Sequence, residues 1–311
     1  MKKVRIGLLG AGRIGKLHGE NLAHSVPEAE LYAVADPFMN DATRAWAANM
    51  GIEKCYDDPE KIFSDPTIDA VFICSSTNTH AEFIIRAAKA GKHAFCEKPI
   101  DTKLDKIQEA LDAVKEAGIK LQVGFVRRFD HNHKMVRDTV ASGRLGKPNI
   151  VKVTSRDPDH QSMDYIKVSG GIFMDMTIHD FDMVRYLAGS EVTEVTAYGA
   201  ALSGAGYDQY DDVDTAIVMM KFENGALGVI DNSRAALISS AEGVEVSKPT
   251  WFFLERYNNA FIAEAKAFTE AVLNDTETPV NGFDGIQPVK IAMAAAKSLK
   301  EGRPVKLDEI G

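Results

Sequence analysis

The feature that most constrains the fold of this chain is a glycine-rich turn close to its N-terminus. The turn Gly10-Ala11-Gly12-Arg13-Ile14-Gly15 joins an apolar run, Val4–Gly10, to a segment of helical character, Ile14–His24. In this context the first glycine permits a tight turn, the second lets a pyrophosphate approach the main chain, and the third lets helix and strand pack closely. The helix N-terminus adds unpaired N–H groups and partial positive charge. The spacing therefore predicts a dinucleotide-binding βαβ unit.

An acidic residue at the end of the next apolar run indicates which dinucleotide is bound. Asp36 closes the run Leu31–Asp36, 21 residues after Gly15, and no arginine follows it in Pro37-Phe38-Met39. A carboxylate here accepts the ribose hydroxyl protons of NAD and would repel the additional phosphate of NADP. We therefore expect NAD as the cofactor. A nucleotide-free domain in which Asp36 only caps a helix stays open as the alternative.

Apolar runs and helical segments alternate through the first third of the chain and then give way to a different pattern. Early strands are predicted at Ala70–Ser75, His93–Glu97 and Leu121–Phe125, and early helices at Asp41–Met50, Thr79–Ala90 and Leu104–Ala117. Later strands are predicted at Ile150–Ser155, Val192–Tyr198, Thr215–Phe222 and Ala226–Ile230, and later helices at His131–Ala141, Gly171–Leu187, Phe252–Asn274 and Val289–Lys300. Alternation of this kind is typical of a doubly wound parallel sheet, and consecutive strands joined by Asn-Gly are typical of hairpins.

The predicted fold class is therefore α/β with two domains. An N-terminal Rossmann doubly wound parallel sheet is expected over residues 1–124, and it would bind NAD. A C-terminal α+β domain with a largely antiparallel open sheet is expected over residues 125–311, and it would bind substrate and form the oligomer. A length of 311 residues suits two such cores.

Composition excludes several classes of protein. The formal net charge of −9 disfavours a nucleic-acid partner, and no apolar run reaches the length of a membrane span. The chain has three cysteines, Cys55, Cys74 and Cys96, which is an odd number, and none of them forms a CxxC motif. Neither a disulfide framework nor a metal site is therefore expected. We expect a cytoplasmic enzyme in which Cys74 and Cys96 are buried free thiols.

Two further segments carry polar groups suited to catalysis. Glu97-Lys98-Pro99 follows an apolar strand, at the edge of the sheet where such folds bind ligands, and its lysine could hold a substrate hydroxyl. Asp175 and His179 are four positions apart, which predicts one face of a helix, among strongly apolar neighbours. Burying polar side chains costs free energy, so a polar pair in partly buried surroundings favours a functional role. The plainer alternatives are a solvated Lys-Pro turn and a surface ion pair.

Together these segments resemble the Gfo/Idh/MocA dehydrogenase family over nearly the whole chain. The resemblance rests on the glycine turn with Asp36, the loop Cys74–His80, Glu97–Pro99, and Asp175 with His179. Further segments resemble the inositol dehydrogenases within that family, namely Gly124–Asp130, Ser155–Pro158, Tyr165–Lys167, Ser169–Met183 and Phe252–Tyr257. The resemblance implies an NAD-dependent dehydrogenase of a small polyol that assembles as a homotetramer on the open sheet face of its second domain.

The resemblance also implies roles for individual residues. His179 would be the general base, and an ordinary pKa of about 6.5 suits that role near neutral pH. Asp175 would orient it, Lys98 would donate to the same substrate oxygen, and Arg127 and Asp157 would hold other ring hydroxyls unless they are ordinary surface residues. The residues implied to bind the cofactor are Gly10, Gly12, Arg13, Ile14, Gly15, Asp36, Ser75, Ser76, Thr77, Asn78, His80 and Glu97.

One segment departs from the family pattern. After Asn232-Ser233-Arg234 the relatives continue into a tyrosine-containing segment and a further strand, whereas here Ala235–Pro249 leads almost directly to Trp251–Tyr257. A tyrosine expected to touch the substrate is therefore missing. Two alternatives remain open from the sequence: a dehydrogenase of another polyol or sugar, such as scyllo-inositol or an aldose, and an NAD- or sugar-binding relative that has lost turnover.

Overall fold

A computed structural model describes residues 2–157, 160–234 and 253–311 of the chain. Within these described ranges the chain divides into two compact units, one of residues 2–129 with 259–286 and the other of residues 130–258 with 287–311. The first unit extends beyond the predicted boundary at residue 124 to Phe129, and residues 259–286 return to it. They do so because Ala265 and Phe268 are fully buried in its hydrophobic core.

The strands and helices agree with most of the predicted segments. In chain order the strands are β1 Val4–Leu9, β2 Ala29–Ala35, β3 Lys54–Tyr56, β4 Ala70–Ile73, β5 His93–Glu97, β6 Leu121–Gly124, β7 Ile150–Arg156, β8 Val192–Ala200, β9 Thr215–Phe222, β10 Leu227–Ser233 and β11 Val305–Lys306. The helices are α1 Arg13–His24, α2 Asp41–Asn49, α3 Glu60–Phe63, α4 Thr77–Lys89, α5 Leu104–Ala117, α6 His131–Ala141, α7 Met163–Ser169, α8 Gly171–Asp175, α9 Ile178–Ala188, α10 Phe253–Arg256, α11 Asn258–Asn274 and α12 Gly282–Glu301.

The first unit contains a six-stranded parallel sheet in the order β3-β2-β1-β4-β5-β6. The predicted Rossmann architecture is thereby confirmed. Chain order reverses between β1 and β4, and ligands of such sheets bind outside the carboxyl ends of the strands at this switch point. The glycine turn follows β1 and the loop from Cys74 follows β4, so both predicted cofactor segments lie at that edge.

The second unit contains a five-stranded sheet in the order β11-β8-β9-β10-β7. Three strand pairs are antiparallel and β10 pairs with β7 in parallel, which confirms the largely antiparallel sheet. The predicted Asn-Gly hairpin joins β9 to β10, and Gly225 has a φ of 83° that suits glycine. One face of the sheet leaves apolar side chains exposed, among them Tyr198, Ile217, Met219 and Leu227.

Two predicted helices are divided in the structure. The segment Gly171–Leu187 forms α8 and α9, because the N–H groups of both Met176 and Thr177 bond to the carbonyl of Ile172 and shift the hydrogen-bond ladder. The predicted helix Phe252–Asn274 forms α10 and α11 over its described part. The pattern also missed β3, α3, α7 and β11, all of which are short. Among the described residues, no helix combines the length and apolar character needed to span a bilayer.

Candidate cofactor and catalytic sites

The glycine turn after β1 is shaped by contacts that only glycine tolerates. Gly10 has a φ of 96°, and a Cβ there would lie 2.6 Å from the carbonyl oxygen of Cys74. A Cβ on Gly15 would collide with the carbonyl oxygen of Gly10. Gly12, in contrast, faces open space and begins α1 with no side chain capping it. The turn therefore exposes main chain at a helix N-terminus, which fits a dinucleotide pyrophosphate.

Asp36 lies directly after β2 and is tied to the same turn. The N–H of Ala11 donates to one carboxylate oxygen at 2.7 Å, and the N–H of Phe38 donates to the other at 2.8 Å. A carboxylate offers about four lone-pair sites, so each oxygen can accept a further hydrogen bond. The carboxylate is partly exposed, and its geometry suits acceptance from two ribose hydroxyls.

The loop after β4 is linked to the Glu97–Pro99 loop by a buried histidine. His80 is 2% exposed. Its Nδ1 lies 2.8 Å from the carbonyl oxygen of Pro99, and its Nε2 lies 3.0 Å from the carbonyl oxygen of Ser75. Burial lowers the pKa of His80, although both carbonyls oppose that shift. The buried ring of His80 therefore links the two loops. The other predicted cofactor residues of this loop are partly or fully exposed, namely Ser75, Ser76, Thr77 and Asn78.

Glu97 directs its carboxylate toward the core of the first unit. One oxygen lies 2.8 Å from Nε2 of His18, whose fully buried ring packs edge-on against Phe72 and Phe95. Lys98 follows at the partly exposed edge of the sheet, beyond the end of β5. The structure thus separates the two side chains: Glu97 anchors the loop through His18, while Lys98 lies at the ligand-binding edge.

A second carboxyl group is buried in this core. Glu264 of α11 is 0% exposed, and among the described residues neither of its carboxyl oxygens has a hydrogen-bond partner. Burial, and next to it the charge of Glu97, raise the pKa of Glu264 well above its ordinary value. Both effects favour the protonated, neutral form of the Glu264 carboxyl group in the folded state. The predicted thiols Cys74 and Cys96 are buried and free, and burial raises the pKa of each.

Asp175 of the second unit is held at both carboxylate oxygens. Tyr165 donates its hydroxyl to Oδ1 at 2.6 Å, and Arg234 donates from Nη1 to Oδ2 at 3.0 Å. Asp175 ends α8 and His179 lies in the first turn of α9, so the two residues are on consecutive helices rather than on one. Both are partly exposed, whereas Ile172–Met174, Met176 and Ile178 are buried. The prediction that one helix face carries both residues is therefore wrong, although both lie partly exposed among buried apolar side chains.

The two weaker candidates lie at the ends of strands in different units. Arg127 lies in the short 3-10 turn Val126–Phe129 that follows β6, and it is partly exposed. Asp157 follows β7, and its N–H donates to the carbonyl of Ser233 at 3.1 Å. That bond places Asp157 beside the strand end that carries Arg234.

Three residues around Asp175 were not recognised from the sequence. Tyr165 and Arg234 bind its carboxylate, and Asp212 lies 3.8 Å from Arg234 while accepting the N–H of Ile172 at 2.9 Å. Tyr165 lies in a segment that resembled inositol dehydrogenases, and Arg234 lies where the chain departs from the family pattern. No local pattern, however, indicated that they meet at one carboxylate.

Comparison with known proteins agrees with this geometry. Residues 4–125 match a family model described as an oxidoreductase family with an NAD-binding Rossmann fold, and residues 133–247 match the Gfo/Idh/MocA C-terminal domain. The two matches cover more than half of the chain. It belongs to the Gfo/Idh/MocA oxidoreductase family. The resemblance inferred from the motifs is thereby confirmed.

Similar Gfo/Idh/MocA proteins extend over the full length of the chain. A myo-inositol 2-dehydrogenase of Thermotoga maritima is 43% identical over 99% of this chain and 99% of its own. A scyllo-inositol 2-dehydrogenase (NAD(+)) of Bacillus subtilis is 37% identical over 98% of this chain and 97% of its own. The crystal structure of a probable dehydrogenase from Thermotoga maritima superimposes with a TM-score of 0.94 at 43% identity, over 99% and 100% of the two chains. This Gfo/Idh/MocA protein is an NAD-dependent oxidoreductase acting on CH–OH groups.

The alignments also show that this family member is shortened. The match to the Thermotoga maritima protein spans 334 positions, whereas the chain has 311 residues, so at least 23 aligned positions have no residue here. Because 99% of each protein is covered, the difference is internal. The place predicted for it, Ala235–Pro249, lies outside the described residues.

Proposed function

We propose that this protein oxidises one ring hydroxyl of an inositol and converts myo-inositol to 2-keto-myo-inositol with NAD. The observation that carries the proposal is the pair Asp175 and His179, both partly exposed among buried apolar residues, with the carboxylate held at both oxygens. The name of the Thermotoga maritima relative supports myo-inositol as the substrate.

The cofactor is held by residues at the switch point of the first unit. The main chain of Gly10–Gly15 would bind the pyrophosphate, and Asp36 would accept the ribose hydroxyls. Arg13, Ile14 and the loop Ser75–Asn78 would complete the binding surface, with His80 and Glu97 positioning the two loops beneath it. Bound NAD supplies the hydride acceptor.

His179 acts in this proposal as the general base. A neutral imidazole accepts the proton of the substrate hydroxyl, and the carboxylate of Asp175 stabilises the imidazolium that results. The rate of oxidation should rise with pH through one ionisation, because only the neutral ring accepts a proton.

Lys98 stabilises the oxygen from which that proton leaves. Its ammonium donates a hydrogen bond to the oxygen as negative charge develops during hydride loss. Arg127 and Asp157 hold the other hydroxyls of the ring. Lys98 and His179 belong to different units, so their action on one hydroxyl is part of the proposal.

The second candidate substrate is scyllo-inositol, which the name of the Bacillus subtilis relative favours. The deciding experiment measures NADH formation by the full-length chain with myo-inositol, scyllo-inositol and glucose. We expect the highest kcat/KM with myo-inositol. Turnover confined to another polyol would replace the substrate, and tight NAD binding without turnover on any polyol would indicate a binding protein instead.

We also propose that the protein assembles as a homotetramer through the exposed sheet face of the second unit. On that face Tyr198 pairs with Ile217 across β8 and β9, and Leu227 pairs with Ile150 across β10 and β7. These four side chains are 49% to 66% exposed. Exposed apolar side chains grouped on one face are typical of an association site. Light scattering should give the mass of four chains, and Ile217→Glu should reduce it.

A further inference from the structure

Arg234 is a buried cation with an incomplete set of partners. It follows β10 and is 1% exposed, and its guanidinium contacts Asp175 through Nη1 at 3.0 Å. Nη2 lies 3.8 Å from Asp212, beyond hydrogen-bonding distance, and among the described residues neither Nε nor Nη2 has a hydrogen-bond partner. Burying a charged group costs several kcal/mol unless its donors are hydrogen-bonded. An arginine in this state is unfavourable for folding, which suggests that it serves the function of the protein.

Arg185 shows how this unit buries an arginine for structural purposes. It is 4% exposed, and its Nε and Nη2 each donate to a carboxylate oxygen of Glu191 at 2.7 Å. That bidentate pairing is the strong geometry for arginine. Among the described residues, the Arg234 guanidinium instead makes one well-formed hydrogen bond, to Asp175.

The main chain fixes Arg234 in place. Its N–H donates to the carbonyl of Asp214 at 2.8 Å, and the Asp214 carboxylate accepts from the N–H groups of Leu202 and Ser203 and from the hydroxyl of Ser203. The guanidinium carbon lies 5.8 Å from the ring centroid of the fully buried Tyr207, within the range of a cation–π contact. The guanidinium is thus presented from a rigid support.

Together with Tyr165, Arg234 leaves the Asp175 carboxylate one orientation. The phenol binds Oδ1 and the guanidinium binds Oδ2, so rotation about the carboxylate bond breaks one contact or the other. We propose that Arg234 is a positioning residue for catalysis, which fixes the carboxylate of Asp175 and balances its charge and that of Asp212. This inference rests on the proposed function, in which Asp175 acts on the base His179.

The test is a double-mutant cycle on kcat/KM for the preferred polyol. Arg234→Met should lower kcat/KM about 10- to 100-fold, the range expected when a reacting group is misplaced by about 1 Å. Because Arg234 acts through Asp175, adding Arg234→Met to Asp175→Asn should cost less than about threefold more. Losses that multiply in the double variant would overturn the inference.

Arg234→Lys provides the conservative variant. A lysine restores the charge but not the planar fork, so kcat/KM should recover to about three- to tenfold above that of Arg234→Met. A lysine variant no more active than the methionine variant, although folded and able to bind NAD, would contradict the role. The matched control is Arg185→Met, which removes an equally buried arginine and should lower the Tm while leaving kcat/KM within about twofold of wild type.

The outcome separates this inference from the proposed function. If the wild-type chain forms no NADH with any polyol, the proposed function fails. If the wild type is active and Arg234→Met retains its kcat/KM, the proposed function stands and the positioning role is refuted. NAD binding, measured by fluorescence titration of NADH, should be unchanged in every variant, because Arg234 belongs to the second unit.

Discussion

Replacing Glu264 by glutamine should stabilise the protein, and the gain should grow with pH. Glu264 is fully buried and its carboxyl oxygens have no hydrogen-bond partner among the described residues. Burial and the charge of Glu97 raise its pKa in the folded state well above the ordinary 4.5. In the unfolded chain the same group ionises near that ordinary value, so the folded state binds more protons. Folding stability therefore falls as the pH rises above 4.5.

The magnitude follows from linkage between proton binding and folding. Between the two pKa values, the penalty from one such group grows by about 1.4 kcal/mol per pH unit. Glu264→Gln removes that penalty, because an amide of similar shape does not ionise. The difference in Tm between variant and wild type should thus be small at pH 5. As the pH rises, this Tm difference should widen by roughly 2–4 °C for each kcal/mol of penalty that the wild type gains, as expected for a unit of this size.

Differential scanning calorimetry from pH 5 to pH 8 measures this difference. The relevant transition is the one that NAD raises, because the ligand stabilises the unit that binds it. Glu270→Gln is the matched control, since Glu270 is an exposed residue of the same helix, and its replacement should give a small difference that does not vary with pH. A Glu264→Gln difference that stays constant or shrinks with pH would refute the upward shift of the Glu264 pKa in the folded state.

The remaining predictions concern the proposed sites. Replacing Asp36 by Ala should erode the preference for NAD over NADP, because the carboxylate both accepts the ribose hydroxyls and repels a phosphate; equal kcat/KM of the wild type with both cofactors would contradict the assignment. Lys98→Ala should lower kcat by about 10²–10³ through loss of one charge-stabilising donor, while NADH still binds in a fluorescence titration. His179→Ala should remove most turnover and the rise of rate with pH, with NAD binding retained; a near-normal kcat with the same pH profile would exclude His179 as the base. Asp175→Asn should lose less than His179→Ala, because the base remains but its charged partner is gone.

Some features could be predicted from the sequence because they depend only on a few neighbouring residues. The glycine turn, the strand before it and Asp36 after the next strand define a nucleotide site within one βαβ unit, and the structure brings Asp36 and Ala11 to 2.7 Å. Most strands and helices lie within a few residues of their predicted bounds, because apolar periodicity and glycine stops are local signals. Segments too short to show a period, such as β3 and α7, escaped prediction for the same reason.

Contacts between distant segments could not be read in this way. Arg234 and Asp175 are 59 positions apart, and Gln122, which donates to the carbonyl of Glu264, is 142 positions from it. Neither separation leaves a periodic signal, so the partners of Asp175 and the burial of the Glu264 carboxyl group are decided only when strands and helices pack. The position of α11 in the first unit follows from the burial of Ala265 and Phe268 in its core, a long-range contact that leaves no local signal in the sequence. The sequence by itself therefore determined the cofactor, the fold class and the candidate catalytic residues, whereas tertiary packing decided which charges surround them.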